Sequence, residues 1–272
     1  MHLRIPWLRF AIGAAAAGTV GGLSACGDDN SITSPPTFTP VPVVTFDQLK
    51  AALQQAVGNP PAFNAGLDLN MWATVVDTAG VVVAVVYTGT GEGDQWQGSR
   101  IISAQKANTA KNFSLDGLAL STANLYAATQ PGGSLFGLQE ANPINEDVAY
   151  GGNLASYGTA NDYMVGKRIG GTNVFGGGFP LYDGAGNLVG AVGVSGDTSC
   201  ADHNIGWKTR FYLNLDNVPA GVGDGGADDN IVYDFVSGTS TGGFGHPHCL
   251  DAAAESAVSA DLPITWPIGT AP

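Results

Sequence analysis

Apolar residues recur at the helical period in three stretches of the chain. In residues 45–57 (TFDQLKAALQQAV) they fall on one face, and Thr45 and Gln48 have the spacing of a capping box, so an amphipathic helix is predicted. Residues 99–113 show the same period, and residues 121–129 show it over a shorter length. We therefore expect an opening helix, a longer second helix and a short third one.

Two pairs of apolar runs predict β-hairpins. Residues 70–77 and 81–87 are separated by a short turn, and the second run is apolar on both faces, which is typical of a central strand. Residues 174–182, interrupted by three glycines, and residues 188–194 flank a turn rich in glycine and aspartate, so they predict a second hairpin. Helices and hairpins in this order indicate a mixed α/β fold.

The second hairpin is rich in glycine. Gly190 and Gly193 lie inside its return strand, where glycine weakens a sheet unless a backbone or a ligand approaches closely. Ser195 and Gly196 then lead to a helix that is expected to begin near Ala201, and the free N–H groups of a helix N-terminus suit an anion. The end of this hairpin is therefore a candidate ligand site.

The remaining segments show little regular periodicity. Residues 134–174 form a stretch longer than a passive connection, and loops of this length are often functional or oligomer-forming. Residues 218–230 are rich in glycine and aspartate, while residues 231–236 predict a further strand. We expect one domain with long glycine-rich loop insertions.

The first residues have the features of a bacterial lipoprotein signal. Arg4 and Arg9 precede an apolar run that is short for a transmembrane span, and residues 23–26 (LSAC) match a lipobox with Cys26 as the acylated residue. An ordinary secretory signal with a chance cysteine is the alternative. We expect a protein that is anchored by lipid in the bacterial cell envelope, on its periplasmic or surface face. The predicted organisation is a signal peptide (1–25), a flexible tether (26–44), a single domain (45–262) and a loose tail (263–272).

Composition and cysteine content agree with export. The chain has 10 basic and 23 acidic residues and a net charge of −13, so nucleic acid, which needs a basic face, is not expected as a partner. Once Cys26 carries lipid, Cys200 and Cys249 remain, and an oxidising compartment predicts a disulfide between them. That bridge would bring His203 close to the two histidines that precede Cys249.

Two blocks of residues carry a resemblance to a known family. The closing block consists of Gly177, Gly178 and Pro180, the glycine-rich strand at 190–196 and the following Asp202. The other block is the helix segment 103–110 (SAQKANTA), which has the form Lys-Ala-x-Thr-Ala. Both occur in the order that the family shows.

Over residues 71–210 the chain resembles the GlcG/HbpS-like haem-binding family, also called the haem-degrading domain family. The resemblance implies an α/β (α+β) fold in which a profilin-like antiparallel sheet is flanked by helices. It also implies haem or another small molecule as the ligand, and assembly into a homo-oligomer.

The resemblance assigns ligand-binding roles on both sides of the site. Lys106, among small neighbours, could neutralise a haem propionate or another carboxylate, and a solvated helix lysine is the alternative. Thr109 could bond the same ligand or its own helix carbonyl. The candidate ligand-binding residues outside this helix are Gly177, Gly178, Pro180, Ser195, Gly196 and Asp202.

Three histidines are candidate haem-iron ligands: His203, His246 and His248. A neutral imidazole can ligate haem iron, and His203 adjoins the family's closing block. A surface histidine, or one bonded to Asp202, is the alternative for His203. His246 and His248 point to the same side of an extended chain, although a proline and a disulfide also explain a rigid tail without a metal.

The sequence thus predicts a lipid-anchored ligand-binding protein with haem as the suspected cofactor. Two alternatives stay open, namely binding of a small hydroxy-acid metabolite by Lys106 and backbone amides, and a structural, oligomer-forming role at the surface. Haem degradation rests on the resemblance alone, because the sequence shows no activating base, so binding rather than catalysis is expected.

Overall fold

The structure, a computed structural model, describes residues 43–58 and 63–269. The predicted signal peptide, Cys26 and nearly all of the tether lie outside the described residues. The helices are α1 (Phe46–Val57), α2 (Ser99–Phe113), α3 (Tyr126–Thr129), α4 (Glu146–Ala149), α5 (Ser199–Tyr212) and α6 (Ala252–Thr265). The strands are β1 (Trp72–Asp77), β2 (Val82–Tyr87), β3 (Gly178–Tyr182), β4 (Leu188–Ser195), β5 (Phe235–Val236) and β6 (Thr239–Ser240).

The predicted helices are confirmed. At the start of α1 the Gln48 amide N–H donates to Thr45 Oγ1 at 3.2 Å, and the Thr45 amide N–H donates to Gln48 Oε1 at 2.9 Å, so the capping box is present. The second helix has the predicted bounds, and the third consists of a 3₁₀ turn, Thr122–Leu125, that continues into α3. In the part of the chain that the structure describes, each helix is too short or too polar to cross a membrane.

Four strands form an antiparallel sheet in the order β2-β1-β4-β3, which confirms the mixed fold. Leu49 and Leu53 of α1 and Ile205 and Trp207 of α5 pack on one face of this sheet. The opposite face is covered by α2, whose inward residues are Ala104, Ala107 and Ala110. Two apolar layers therefore enclose the sheet between helices.

The position of β2 differs from the prediction, because it lies at the edge of the sheet and not at its centre. The long aperiodic segment covers that edge: the Val82 amide donates to the Lys167 carbonyl at 2.9 Å, and the Gly166 amide donates to the Val82 carbonyl at 2.9 Å. Met164 and Ile169 pack beside β2 in the core. An edge strand that another segment covers has the same two-faced apolar pattern as a central strand.

Three further differences lie at the ends of predicted elements. Val174 and Phe175 precede β3 without belonging to a strand, and of the predicted strand 231–236 only Phe235–Val236 is paired, with β6. The helix α6 continues to Thr265, past the predicted domain end at 262. The indole N–H of Trp207 donates to the Trp266 carbonyl at 2.9 Å, so the start of the predicted loose tail packs on α5.

The glycines of β4 permit close approach, as predicted, and the approaching group is backbone. A Cβ atom at Gly193 would lie 2.0 Å from the Ser103 carbonyl oxygen of α2. A Cβ atom at Gly190 would lie 2.4 Å from the Val76 carbonyl oxygen of β1. The glycines therefore let α2 and β1 press directly on β4.

Candidate ligand-binding cleft and central ion pair

Residues of both motif blocks meet in the middle of the fold. Lys106 Nζ lies 2.6 Å from Asp202 Oδ2 and donates to the Val194 carbonyl oxygen at 3.1 Å. A Cβ atom at Gly177 would lie 2.4 Å from that same carbonyl oxygen and 3.2 Å from Lys106 Nζ. The absence of a side chain at Gly177 is thus what allows this contact, which we call the central ion pair (Lys106 and Asp202).

The central ion pair is enclosed by protein, since its side chains are 1 % and 3 % exposed. Burial lowers the pKa of Lys106 and raises the pKa of Asp202 to about 6, and in each case the attraction of the partner opposes the effect of burial. Lys106 therefore neither faces an open ligand space nor lies in solvent, in contrast to both expectations. The reason is that β4 packs directly on α2.

The other candidate ligand residues of the two blocks also bond within the protein. Thr109 Oγ1 donates to the Gln105 carbonyl at 2.8 Å and accepts from the Asn173 amide at 2.9 Å. The Gly178 amide donates to Thr122 Oγ1 at 2.9 Å. Pro180, Ser195 and Gly196 are buried in or beside the sheet.

The N-terminus of α5 is already capped by protein groups. Thr198 Oγ1 accepts from the Ala201 amide at 3.2 Å, and Cys249 Sγ accepts from the Cys200 amide at 3.1 Å. Asp202 Oδ1 accepts from the Asp197 amide at 2.8 Å. The expected anion position near Ala201 is therefore filled by side chains of this chain.

His203 is fully buried against the Phe179 ring, with ring centroids 4.6 Å apart. Its Nε2 atom accepts from the Ile231 amide at 2.9 Å and lies 3.1 Å from Asn230 Oδ1. Its buried Nδ1 atom has no partner among the described residues. Burial lowers the pKa of His203 to about 3, so the ring is neutral but closed to an iron atom in this conformation.

The predicted disulfide between Cys200 and Cys249 is confirmed. Beside it, His246 Nε2 lies 2.8 Å from Ser199 Oγ and His246 Nδ1 lies 2.6 Å from the Pro247 carbonyl oxygen. Burial lowers the pKa of His246 to about 4. One donor atom each from Cys200, His246 and Cys249 fall within 4.8 Å of one another.

His248 differs from the other two histidines because its side chain is 34 % exposed. It stacks on Tyr233 with centroids 4.0 Å apart, and its Nδ1 atom lies 3.0 Å from Glu255 Oε2. The bridge does bring the histidines into one region, where His246 contributes to the low pKa of His203. Each ring is held by different partners, so the three nitrogens do not converge on one point.

A cavity of about 410 Å³ lies between the first half of α2 and the aperiodic segment around residues 144–157, and we call it the α2 cleft. Its walls are largely apolar, and the central ion pair and the histidines are not among the residues that line it. Sequence periodicity gave no sign of the cleft, although Tyr150, Leu154 and Tyr157 form an aromatic and apolar cluster within the aperiodic segment. The lining residues are Trp72, Glu92, Gln97, Gly98, Arg100, Ile101, Ile102, Gln105, Ile144, Tyr150, Leu154 and Tyr157.

Arg100 fixes the outer wall of the α2 cleft to α2. Its guanidinium bonds both carboxylate oxygens of Asp162, at 2.5 and 2.8 Å, and donates to the Ala149 carbonyl at 2.7 Å. It also lies 3.6 Å from the centroid of the Tyr157 ring. Asp162 accepts in addition from the Gly158 amide at 2.7 Å. A buried, bidentate pair of this kind sets the position of the aperiodic segment.

Trp72 lies at the floor of the α2 cleft and is 1 % exposed. Its ring packs edge-on against Tyr87, with centroids 5.2 Å apart. Its indole N–H is buried and has no acceptor among the described residues. A buried donor without an acceptor is uncommon in folded proteins.

Comparison with known proteins assigns the family. The fold and the site define an α/β domain with an apolar cleft beside helix α2. The chain belongs to the HbpS-like family of haem-degrading proteins, whose model matches residues 47–209. None of the curated proteins compared with the chain matches it.

The solved structures that are similar to the chain include the following two. One is the Klebsiella pneumoniae protein ORFY, which is 22% identical, with 62% of this chain and 90% of that chain covered and a TM-score of 0.42. The other is PduOC in complex with haem, which is 20% identical, with 62% of this chain and 91% of that chain covered and a TM-score of 0.42.

Proposed function

We propose that this protein binds haem in the α2 cleft and is held at the bacterial cell envelope by a lipid anchor. The observation that carries the haem proposal is the largely apolar cleft of about 410 Å³, because all its lining residues fall inside the family-matched region, 47–209. Cavities of this size and character are typical of small-molecule sites. The lipobox at residues 23–26 supports the anchor.

The residues of the α2 cleft suit a haem group in two respects. Ile101, Ile102 and Leu154 offer apolar surface to the macrocycle. Tyr150, which is 67% exposed at the cleft, offers a phenol oxygen, and tyrosine is one of the residues that hold haem iron in proteins. Tyr150 is therefore our first candidate for the iron ligand.

The histidines are the other candidate iron ligands, and His248 is favoured among them. His203 is buried and accepts a hydrogen bond at Nε2, and His246 is buried with both ring nitrogens bonded, whereas the side chain of His248 is 34 % exposed. A haem bound through His248 would lie outside the α2 cleft. Spectroscopy of variants at Tyr150 and His248 separates the two arrangements.

The hydroxy-acid alternative is weaker, because the cation on which it depends is already paired. Lys106 is neutralised by Asp202 and is 1 % exposed, so a carboxylate ligand would have to displace a buried aspartate. The purely structural alternative is weaker as well. Contacts within one chain explain much of the aperiodic segment, because it covers the edge of β2 and forms a wall of the cleft. Assembly into a homo-oligomer remains a prediction.

Titration with haemin tests the proposal. Gly98 lines the α2 cleft, and a Cβ atom there would meet nothing within 4 Å, so Gly98→Trp adds a bulky side chain at the cleft without local strain. We expect it to weaken haemin binding by at least about 10-fold, which corresponds to roughly 1.4 kcal/mol. Gly184→Trp, at an equally open position in the β3–β4 turn, is the matched control.

The iron ligand is tested by absorbance of the haemin complex. Tyr150→Phe should shift the Soret band and remove the phenolate charge-transfer band while circular dichroism stays native. A shift in His248→Ala with none in Tyr150→Phe would place the iron at the tail histidine. Equal haemin affinity of Gly98→Trp and Gly184→Trp would refute binding in the cleft.

A further inference from the structure

The Cys200–Cys249 disulfide lies beside the imidazole of His246, and these three residues together could supply ligands to a metal ion. One donor atom each from Cys200, His246 and Cys249 lie within 4.8 Å of one another, and two of the residues are buried. We propose that reduction of the Cys200–Cys249 disulfide creates a site for one Zn²⁺ ion, with the two thiolates and His246 as ligands. This proposal is independent of haem binding.

The segment that carries His246 and Cys249 is held in place by contacts other than the disulfide. The His246 amide donates to the Val232 carbonyl at 2.8 Å. Glu255 of α6 accepts from the Cys249 amide at 2.9 Å and from the Leu250 amide at 2.6 Å. Because these bonds do not involve sulfur, they keep Cys249 next to Cys200 after the bridge opens, and the three ligands stay preorganised.

The position of Cys249 favours the thiolate form that a metal requires. Its sulfur accepts a hydrogen bond from the Cys200 amide at 3.1 Å, in the first turn of α5. The N–H groups and the dipole of a helix N-terminus stabilise a thiolate there. Cys249 is also partly exposed, so a soluble reductant can reach the bridge.

The imidazole of His246 is held by hydrogen bonds at both of its nitrogens. A carbonyl oxygen only accepts, so the contact of 2.6 Å between Nδ1 and the Pro247 carbonyl places the ring proton on Nδ1. The Nε2 lone pair is then free to bind an ion in place of the Ser199 hydroxyl. A backbone carbonyl that holds the second nitrogen of a ligating histidine is a common outer-sphere arrangement.

The reaction balances with a dithiol or a phosphine as the reductant. The reductant supplies two electrons, the S–S bond breaks, and two protons are taken up to give two thiols. Zn²⁺ then displaces those two protons and binds two thiolates and one neutral imidazole, and water fills the fourth position. The resulting site has no net charge, which suits its burial.

The test uses the full-length chain before and after treatment with a phosphine reductant, titrated with Zn²⁺ against a chromophoric chelator. We expect one Zn²⁺ per reduced chain and none per oxidised chain. In the reduced state, His246→Ala and Cys249→Ser should each weaken Zn²⁺ binding by at least about 100-fold. A loss of this size exceeds the loss expected when a residue outside the ligand set is removed. His248→Ala, two residues from His246 and outside the cluster, is the matched control and should bind as the wild type does.

Substitution of Co²⁺ for Zn²⁺ gives a second measurement. A cobalt ion bound by two thiolates should show intense sulfur-to-metal charge-transfer absorption in the near ultraviolet, and this absorption should vanish in Cys249→Ser. Circular dichroism of the reduced chain tests whether the site persists. Unfolding on reduction, equal Zn²⁺ binding before and after reduction, or equal affinity of His246→Ala and His248→Ala would each overturn the proposal.

Discussion

Lys106 of α2 and Asp202 of α5 join helices from opposite faces of the sheet through one ion pair, in which Nζ lies 2.6 Å from Oδ2. The pair passes beside β4, where the Val194 carbonyl accepts a further hydrogen bond from Lys106. Both residues belong to the blocks that carry the family resemblance. Their arrangement shows that these blocks build the centre of the fold, since they connect the two helical layers across the sheet.

Lys106→Met should destabilise the protein by about 3–5 kcal/mol, because it leaves the Asp202 carboxylate buried without a counter-ion. Chemical denaturation measures this effect directly. Lys111→Met, at a position farther along α2 that is not fully buried, should change stability by no more than about 0.5 kcal/mol.

Replacing both members of the pair provides the control for charge. Lys106→Met combined with Asp202→Leu removes both buried charges, so it should recover much of the stability that Lys106→Met loses. Equal stability of Lys106→Met and Lys111→Met would contradict a structural role for the pair. It would also restore Lys106 as a candidate ligand contact.

Gly193→Ala should be poorly tolerated, because the added Cβ would lie 2.0 Å from the Ser103 carbonyl oxygen and 2.5 Å from the Ala107 amide nitrogen. Both atoms are backbone atoms of α2, so neither can move aside by rotation of a side chain. We expect a loss of at least about 1–3 kcal/mol in the free energy of unfolding. Gly184→Ala, where the Cβ meets nothing within 4 Å, is the matched control, and equal melting temperatures would contradict the tight packing.

The sequence allowed prediction of those parts of the fold that depend on local patterns. Periodicity and turn chemistry over short stretches of sequence predict the capping box at Thr45, the bounds of α2 and both hairpins. The disulfide followed from compartment and cysteine count. The edge position of β2 could not be predicted, because the segment that covers it lies some 80 residues away and has no period of its own.

The candidate site was harder to predict than the fold, since burial decides the role of a polar residue. The local sequence around a lysine among alanines is the same whether the lysine contacts a ligand or an aspartate from another helix. Here the aspartate is Asp202, 96 residues away. The α2 cleft arises where Arg100 meets Asp162, and no local pattern in either segment signals that contact.

Arg100→Ala should release the outer wall of the α2 cleft. It removes the bidentate bond to Asp162 and the bond to the Ala149 carbonyl, so the buried carboxylate loses its counter-ion. We expect faster proteolysis within residues 146–162 and loss of haemin binding, together with about 3–5 kcal/mol of lost stability. Arg168→Ala removes an exposed arginine from the same segment and should leave proteolysis and haemin binding unchanged. Equal cleavage rates for the two variants would show that Arg100 does not hold the wall.

Stability should fall on mild acidification because two histidines are buried in the neutral form. Burial lowers the pKa of His203 to about 3 and that of His246 to about 4, from an ordinary value of 6.5. The unfolded chain therefore binds more protons than the folded chain between pH 6.5 and these lower values, so the stabilisation is complete above pH 6.5 and declines as the pH falls. From pH 7.5 to pH 5, each histidine should account for about 2 kcal/mol of lost stability.

Denaturation at the two pH values measures the loss, and His246→Ala should lose about 2 kcal/mol less than the wild type over this range. An identical loss in the wild type, His203→Ala and His246→Ala would show that these rings are not held neutral by the fold.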